Sequence, residues 1–268
     1  MCAQIKDHNL KAAAMWGSGG RAYDEISQSI AGAIEHCVTR LRPARGEQVL
    51  DLATGTGWTS RTVARTGANV VGLDIAEGLL SAAREIAREQ GLTINYRLGD
   101  AELLPFPDDA FDAVISTFGV MFASDQRQAA AELGRVTRPR GRLAIAAWTP
   151  NSNAVRLRQV LLPFMTPAPA APPSPFVWGT RDWLNDAFGS AFRVSSEEGT
   201  VVSRFSSNEA TWEAYVNGFG PVRAVAAALE AERLKEMREA FLNWVGQFST
   251  DIGVAIPFDY LVTIANRV

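Results

Sequence analysis

One nine-residue stretch limits what this chain can become more than any other. Val49-Leu50-Asp51-Leu52-Ala53-Thr54-Gly55-Thr56-Gly57 is an apolar run that closes on an acid and a glycine-rich turn. The apolar part suits a strand covered on both faces of a parallel sheet. The turn lets the chain reverse into a helix starting near Trp58, and glycines without Cβ let a ligand lie against backbone. Free N–H groups at such a helix start suit a carboxylate or phosphate.

Spacing separates the nucleotide readings of this turn. A dinucleotide fingerprint calls for a third glycine or alanine where this chain has Ser60, which disfavours a nicotinamide-dependent oxidoreductase. The chain also lacks Gly-x-x-x-x-Gly-Lys-Ser/Thr, so a P-loop is out. Three further marks follow in order. Asn69-Val70-Val71-Gly72-Leu73-Asp74 is a second run ending in a carboxylate, able to accept both ribose hydroxyls. Ile94 to Gly99 leads into Asp100-Ala101-Glu102, where a carboxylate and a backbone N–H could read an adenine edge. Phe111 to Thr117 ends in Phe118-Gly119, where the chain would bend over a ligand.

These four blocks, from about Glu47 to Trp148, resemble motifs I, post-I, II and III of the class I, Rossmann-like S-adenosylmethionine-dependent methyltransferases. The small-molecule branch similar to ubiquinone/menaquinone-biosynthesis methyltransferases is the nearest in pattern. The resemblance implies a cofactor, S-adenosyl-L-methionine, leaving as S-adenosyl-L-homocysteine. It implies that Asp51, Gly55 and Gly57 lie along the methionine part, Asp74 holds the ribose, and Asp100 and Ala101 meet the adenine. Thr117 and Phe118 would line the sulfonium side, and Ala53, Thr54, Ile75 and Glu102 join them as cofactor-binding residues. Trp16-Gly17 followed by Ala22-Tyr23-Asp24 resembles the N-terminal arm of this branch, with Trp16 and Tyr23 capping the methionine end. The alternative is that both rings simply anchor a terminal helix.

The implied fold is an α/β Rossmann-like three-layer sandwich, with a seven-stranded, mostly parallel sheet, an antiparallel last strand and a helical lid insertion. Residues 1–45 form the arm and 46–268 the core. Strand and helix signals alternate from about 47 to 149, as right-handed βαβ units require. Helices are expected over Thr59–Arg65, over Ala76–Gln90 with Leu79, Ala83, Ile86 and Ala87 inward, and over Asp125–Val136 with Ser124 as N-cap. Six of 13 prolines fall between Pro163 and Pro175, which predicts an exposed connector. Arg193–Phe205 and Phe258–Val268 read as two strands finishing the sheet antiparallel. Between them, about 207–250 is helical and is the candidate lid. There Leu234, Met237, Phe241, Val245 and Phe248 keep a 3.6 period.

Composition removes other classes. A net charge of −3 argues against a basic nucleic-acid surface, so the acceptor is expected to be a small molecule. No apolar run is long enough for a membrane span and no signal-peptide core is present, which points to the cytoplasm. Cys2 and Cys37 make no disulfide framework, and two cysteines with two histidines build no usual zinc cluster, so no metal is expected. Homo-oligomerisation is left open.

Methyl transfer from a sulfonium needs alignment and water exclusion more than reactive side chains. Met121, Phe122, Trp212, Tyr215 and Phe219 are the expected acceptor-binding residues, with Phe118, Phe176 and Trp178 as further candidates for an apolar chamber; each has a plain alternative as core. No convincing general base is present: His36, Asp125 and Tyr215 have safer readings as a satisfied histidine, a cap and an anchor. The acceptor atom (O, N or C) stays open. A non-catalytic cofactor-binding module is the alternative from another class.

Overall fold

The computed structural model describes residues 5–166 and 173–268. Cys2 and the middle of the proline-rich connector lie outside them. The arm contains α1 (Leu10–Gly17), α2 (Tyr23–Ser29) and α3 (Ala31–Leu41). The body then runs β1 (Gln48–Leu52), α4 (Trp58–Ala64), β2 (Asn69–Asp74), α5 (Glu77–Glu89), β3 (Asn95–Leu98), β4 (Phe111–Thr117), α6 (Gln126–Val136) and β5 (Thr137–Trp148). After it come α7 (Asn153–Leu161), α8 (Arg181–Phe188), β6 (Phe192–Phe205), α9 (Asn208–Gly218), α10 (Gly220–Ala227), α11 (Ala231–Gly246), β7 (Ser249–Thr250) and β8 (Gly253–Arg267).

The sheet order is β3-β2-β1-β4-β5-β8-β6, with two-residue β7 paired off this path to β8. The first five strands are mutually parallel, and β8 runs antiparallel to both β5 and β6. The antiparallel last strand is therefore β8 alone. The expectation that both final strands oppose the sheet is corrected: β6, flipped twice, returns to the common direction. Its outer rim is partly covered, since Arg181 donates to the Ser196 carbonyl at 2.5 Å and Arg204 to that of Val202 at 3.2 Å.

Burial follows the sequence periodicity. Val49, Leu50 and Leu52 are fully buried in β1, as are Ala113 and Ile115 in β4. Helix α5 buries Leu79, Leu80, Ala82, Ala83, Ile86 and Ala87, and Gly91 with φ +66° follows its end. The N-cap of α6 is Asp125, whose carboxylate accepts from the Gln128 N–H; the expected cap, Ser124, instead donates to Asn9 Oδ1 at 2.7 Å. A side chain with a long-range partner is not free to cap its own helix.

The helical insertion buries Met237, Phe241, Trp244 and Val245 on one stripe of α11. Phe241 packs against Trp212 and Tyr215 of α9 at ring separations of 5.3 and 5.5 Å. The insertion lies over the arm, with the backbones in near contact: a Cβ on Gly220 would stand 2.5 Å from the Met15 carbonyl. Among the described residues, no helix is long and apolar enough to cross a membrane.

Candidate functional site

Strand order reverses between β1 and β4, and parallel sheets bind ligands beyond the carboxyl ends of their strands at such a switch. A cleft lies there, lined by residues from four strand ends and from the arm. Leu52, Ala53 and Gly55 come from the β1 turn, and Leu73, Asp74 and Ile75 from the end of β2. Gly99, Asp100 and Ala101 follow β3, while Phe118, Gly119 and Val120 follow β4. The arm contributes Asn9, Ala12, Trp16 and Tyr23.

The backbone at the rim is held in uncommon conformations. Ala53 (φ +57°) and Phe118 (φ +61°) are left-handed without being glycine, each at a cost of order 1 kcal/mol. Gly57 (φ +82°) begins α4 and is required twice over, because a Cβ there would stand 2.2 Å from the Tyr96 hydroxyl. Tyr96 reaches this turn from β3 by crossing β2 at Gly72, where a Cβ would meet its ring at 2.6 Å. The tyrosine thus props the turn from below.

Three strand-end acids take different positions. Asp74 accepts from the Gly55 N–H at 2.8 Å and the Ala76 N–H at 2.9 Å while lining the cavity. Burial raises its pKa to about 6 against the pull of those N–H groups. Asp100 also lines the cavity, but its carboxylate receives the Lys6 N–H, the Asn9 side-chain amide and the Glu102 N–H at 2.9–3.1 Å. Asp51 is fully buried under the turn and does not line the cavity; Thr54 and Ser60 donate to one oxygen, and the other has no protein partner. Burial raises its pKa also to about 6.

Other expected cofactor residues form supports. Thr54 bridges Asp51 and Ser60. Thr117 bonds Thr59 at 2.6 Å. Glu102 is buried below the arm, where His8 and the Asp125 N–H meet it at 2.8 Å and Lys6 at 3.4 Å. Burial pushes its carboxyl up, yet the Asp125, Asn9 and His8 contacts outweigh this and bring it to about 2.

The aromatic expectations divide. Trp16, Tyr23, Phe118 and Phe122 line the cavity, with Trp16 and Phe122 5.0 Å apart. Phe219 stands behind them, 5.6 Å from Trp16. Met121, Trp212, Tyr215, Phe176 and Trp178 do not line the cavity and are buried in the core. Trp178, for example, packs 4.3 Å from Trp183. The arm roofs the cavity, and the insertion forms a second layer above the arm. Residues missed from sequence include Asn9, Ala12, Leu79, Gly99 and Val120. The small and apolar types among them carry no chemical signature, and Asn9 is one of four consecutive polar residues, Lys6 to Asn9, with nothing to set it apart.

None of the three candidate bases faces the cavity. His36 is held by the Tyr260 hydroxyl at 2.9 Å and by Glu197, Asp125 caps α6, and burial raises the pKa of Tyr215. Among the described residues, no group of three His, Cys, Asp or Glu is arranged to hold a metal.

Comparison with known proteins completes the picture. Residues 50–145 match the methyltransferase domain family. An uncharacterized protein of Mycobacterium tuberculosis is 32% identical over 98% of this chain and 97% of its own. A demethylmenaquinone methyltransferase of Clavibacter sepedonicus is 36% identical over 58% of this chain and 66% of its own. The YcgJ protein of Bacillus subtilis superposes with a TM-score of 0.62 at 16% identity, covering 88% of this chain and 98% of that one. The chain belongs to the class I S-adenosylmethionine-dependent methyltransferases, built on the Rossmann-like fold. It is an enzyme, and its cofactor is S-adenosylmethionine. The cavity's donor set suits that molecule: a carboxylate for hydroxyls, a glycine turn for close backbone approach, and an apolar floor from Leu79, Ile75 and Ala101 for a purine.

Proposed function

We propose that this methyltransferase moves a methyl group to an O, N or C atom of a small, partly apolar metabolite. In this reading Asp74 receives the ribose hydroxyls. Asp100 and Ala101 meet the adenine, and the turn from Ala53 to Gly57 lies along the methionine. The acceptor enters beside Trp16, Tyr23, Phe118 and Phe122. The observation that carries the reading is this wall, where the lining side chains are aromatic or aliphatic and the cavity's two charged side chains, Asp74 and Asp100, belong to the cofactor side.

Such a wall favours an uncharged, ring-bearing acceptor, because a charge would lose its hydration without a compensating partner. With none of the candidate bases at the cavity, the acceptor is one whose nucleophile is intrinsically ready, such as an amine or an acidified hydroxyl or carbon. The sulfonium supplies the electrophilic methyl when bound. The protein's part is to orient, to exclude water and to hold the acceptor's lone pair in line. The partial likeness to demethylmenaquinone methyltransferases makes a reduced quinone-type ring the first acceptor to try.

Isothermal titration with S-adenosylhomocysteine tests the cofactor side. For the acceptor side, S-adenosylhomocysteine should accumulate when the enzyme meets S-adenosylmethionine and an organic-extracted metabolite pool, and should stop doing so in Asp74→Ala. Accumulation only with a water-soluble, highly charged fraction would defeat the assignment of the acceptor.

A further inference from the structure

We propose that Arg61 and Asp24 are positioning residues for the methionine end of the cofactor, joining the arm to the glycine-rich turn so that this half of the site is complete only with the arm docked. The inference rests on the cofactor placement given under the proposed function and adds to it a device outside the four sequence blocks.

The network sits beside the cavity. Arg61, from α4, is 2% exposed. Its Nη1 donates to the Thr56 carbonyl at 2.6 Å and its Nη2 to Asp24 Oδ1 at 2.9 Å. The Thr56 hydroxyl donates to the same Asp24 oxygen at 2.8 Å. Trp58 covers the guanidinium, 5.3 Å from its ring centroid. Asp24 follows Tyr23, whose ring packs on the turn: a Cβ on Gly55 would stand 3.3 Å from Tyr23 Cε1.

A buried guanidinium retains its charge, and its planar fork suits two acceptors at fixed angles, so it tolerates little displacement of either one. One acceptor belongs to the turn and the other to the arm. The turn gains from outside support because its two glycines, 55 and 57, leave the backbone free to take other conformations, while Ala53 is held at positive φ. Arg61 and Asp24, which do not line the cavity themselves, therefore fix the backbone between Gly55 and Gly57 from outside its lining, while Tyr23 is carried into the cavity wall by the same docking. The adenine side is supported separately, through Asn9 and Asp100.

Two probes distinguish this role from general stabilisation. S-adenosylhomocysteine has the amino-acid portion, and 5′-methylthioadenosine lacks it. In Thr56→Val and Asp24→Asn, affinity for S-adenosylhomocysteine should fall about tenfold or more, as expected for a lost charge-assisted hydrogen bond, while affinity for methylthioadenosine stays within about twofold. Thr56→Ser should restore the wild-type ratio. A parallel loss of both probes, no loss in either variant, or a Thr56→Ser as weak as Thr56→Val would overturn the proposal. If the wild-type protein binds neither probe, the underlying cofactor placement fails and the proposal with it.

Discussion

If Asp74 holds the cofactor as proposed, cofactor binding should depend on pH in a direction opposite to that of the protein's own stability from this group. Its pKa is raised from 3.8 to about 6, first by burial and against the Gly55 and Ala76 N–H groups. In the proposed placement, ribose hydroxyls would donate to this carboxylate and so would prefer its ionised form. Below the raised pKa, each pH unit removes about tenfold of that form, so moving from about pH 7.5 to about pH 5 should weaken S-adenosylhomocysteine binding by about tenfold. The folded protein binds this proton more readily than the unfolded chain does, so Asp74 adds stability as pH falls through about 6 toward 3.8. Titration calorimetry at half-unit steps, run beside thermal melts of the ligand-free protein, separates the two effects. Asp51, also raised to about 6, titrates in the same window but lies below the turn. Asp74→Asn isolates its share: the variant should bind more weakly and lose most of the slope. A flat wild-type affinity across the window, or an undiminished slope in Asp74→Asn, would refute the reasoning.

Three further perturbations follow. Glu102→Gln removes the charge facing Lys6 and His8 and should loosen the arm by about 1–2 kcal/mol, read as faster hydrogen exchange over residues 5–17. Because its pKa is lowered, Glu102 stabilises the fold above about 4.5, and that contribution fades as pH falls toward 2. Gly72→Ala places a Cβ 2.6 Å from the Tyr96 ring and 2.9 Å from Ser60 Oγ, which should cost about 1–3 kcal/mol by urea denaturation and less in a Tyr96→Ala background. Phe241→Ala, fully buried between α9 and α11, should cost about 3–5 kcal/mol in the same assay; a loss below 1 kcal/mol would mean the insertion is not packed as described.

Strand-end acids and glycine turns were legible in the sequence because their chemistry repeats in order along the chain. Asp74 and Asp100 line the cavity, and Asp51 lies one residue before the end of its strand. What spacing could not convey was depth: Asp51 turns to the Thr54 and Ser60 hydroxyls and away from the cavity lining, whereas Asp74 takes backbone N–H groups at its rim. Tyr96 and Arg61 went unmarked because their partners are 39 and 37 residues away or come from a neighbouring strand, and local patterns carry no such information. For the aromatics, a 3.6-residue period identifies a buried stripe but not what the stripe faces. Trp212 and Tyr215 met Phe241, while Trp16 and Phe122, outside any strong stripe, met the cavity.

Strand β6 ends the sheet, and a bare strand rim is a template on which another chain can add itself. Arg181 and Arg204 occupy two of its carbonyls, and charges at Arg193, Glu197 and Glu198 are spread along it. These side chains act as a selvage: they keep neighbouring copies from being woven into one continuous fabric. Stripping them, as a surface-simplifying redesign would do, trades a few exposed arginines for a seam on which fibrils can grow.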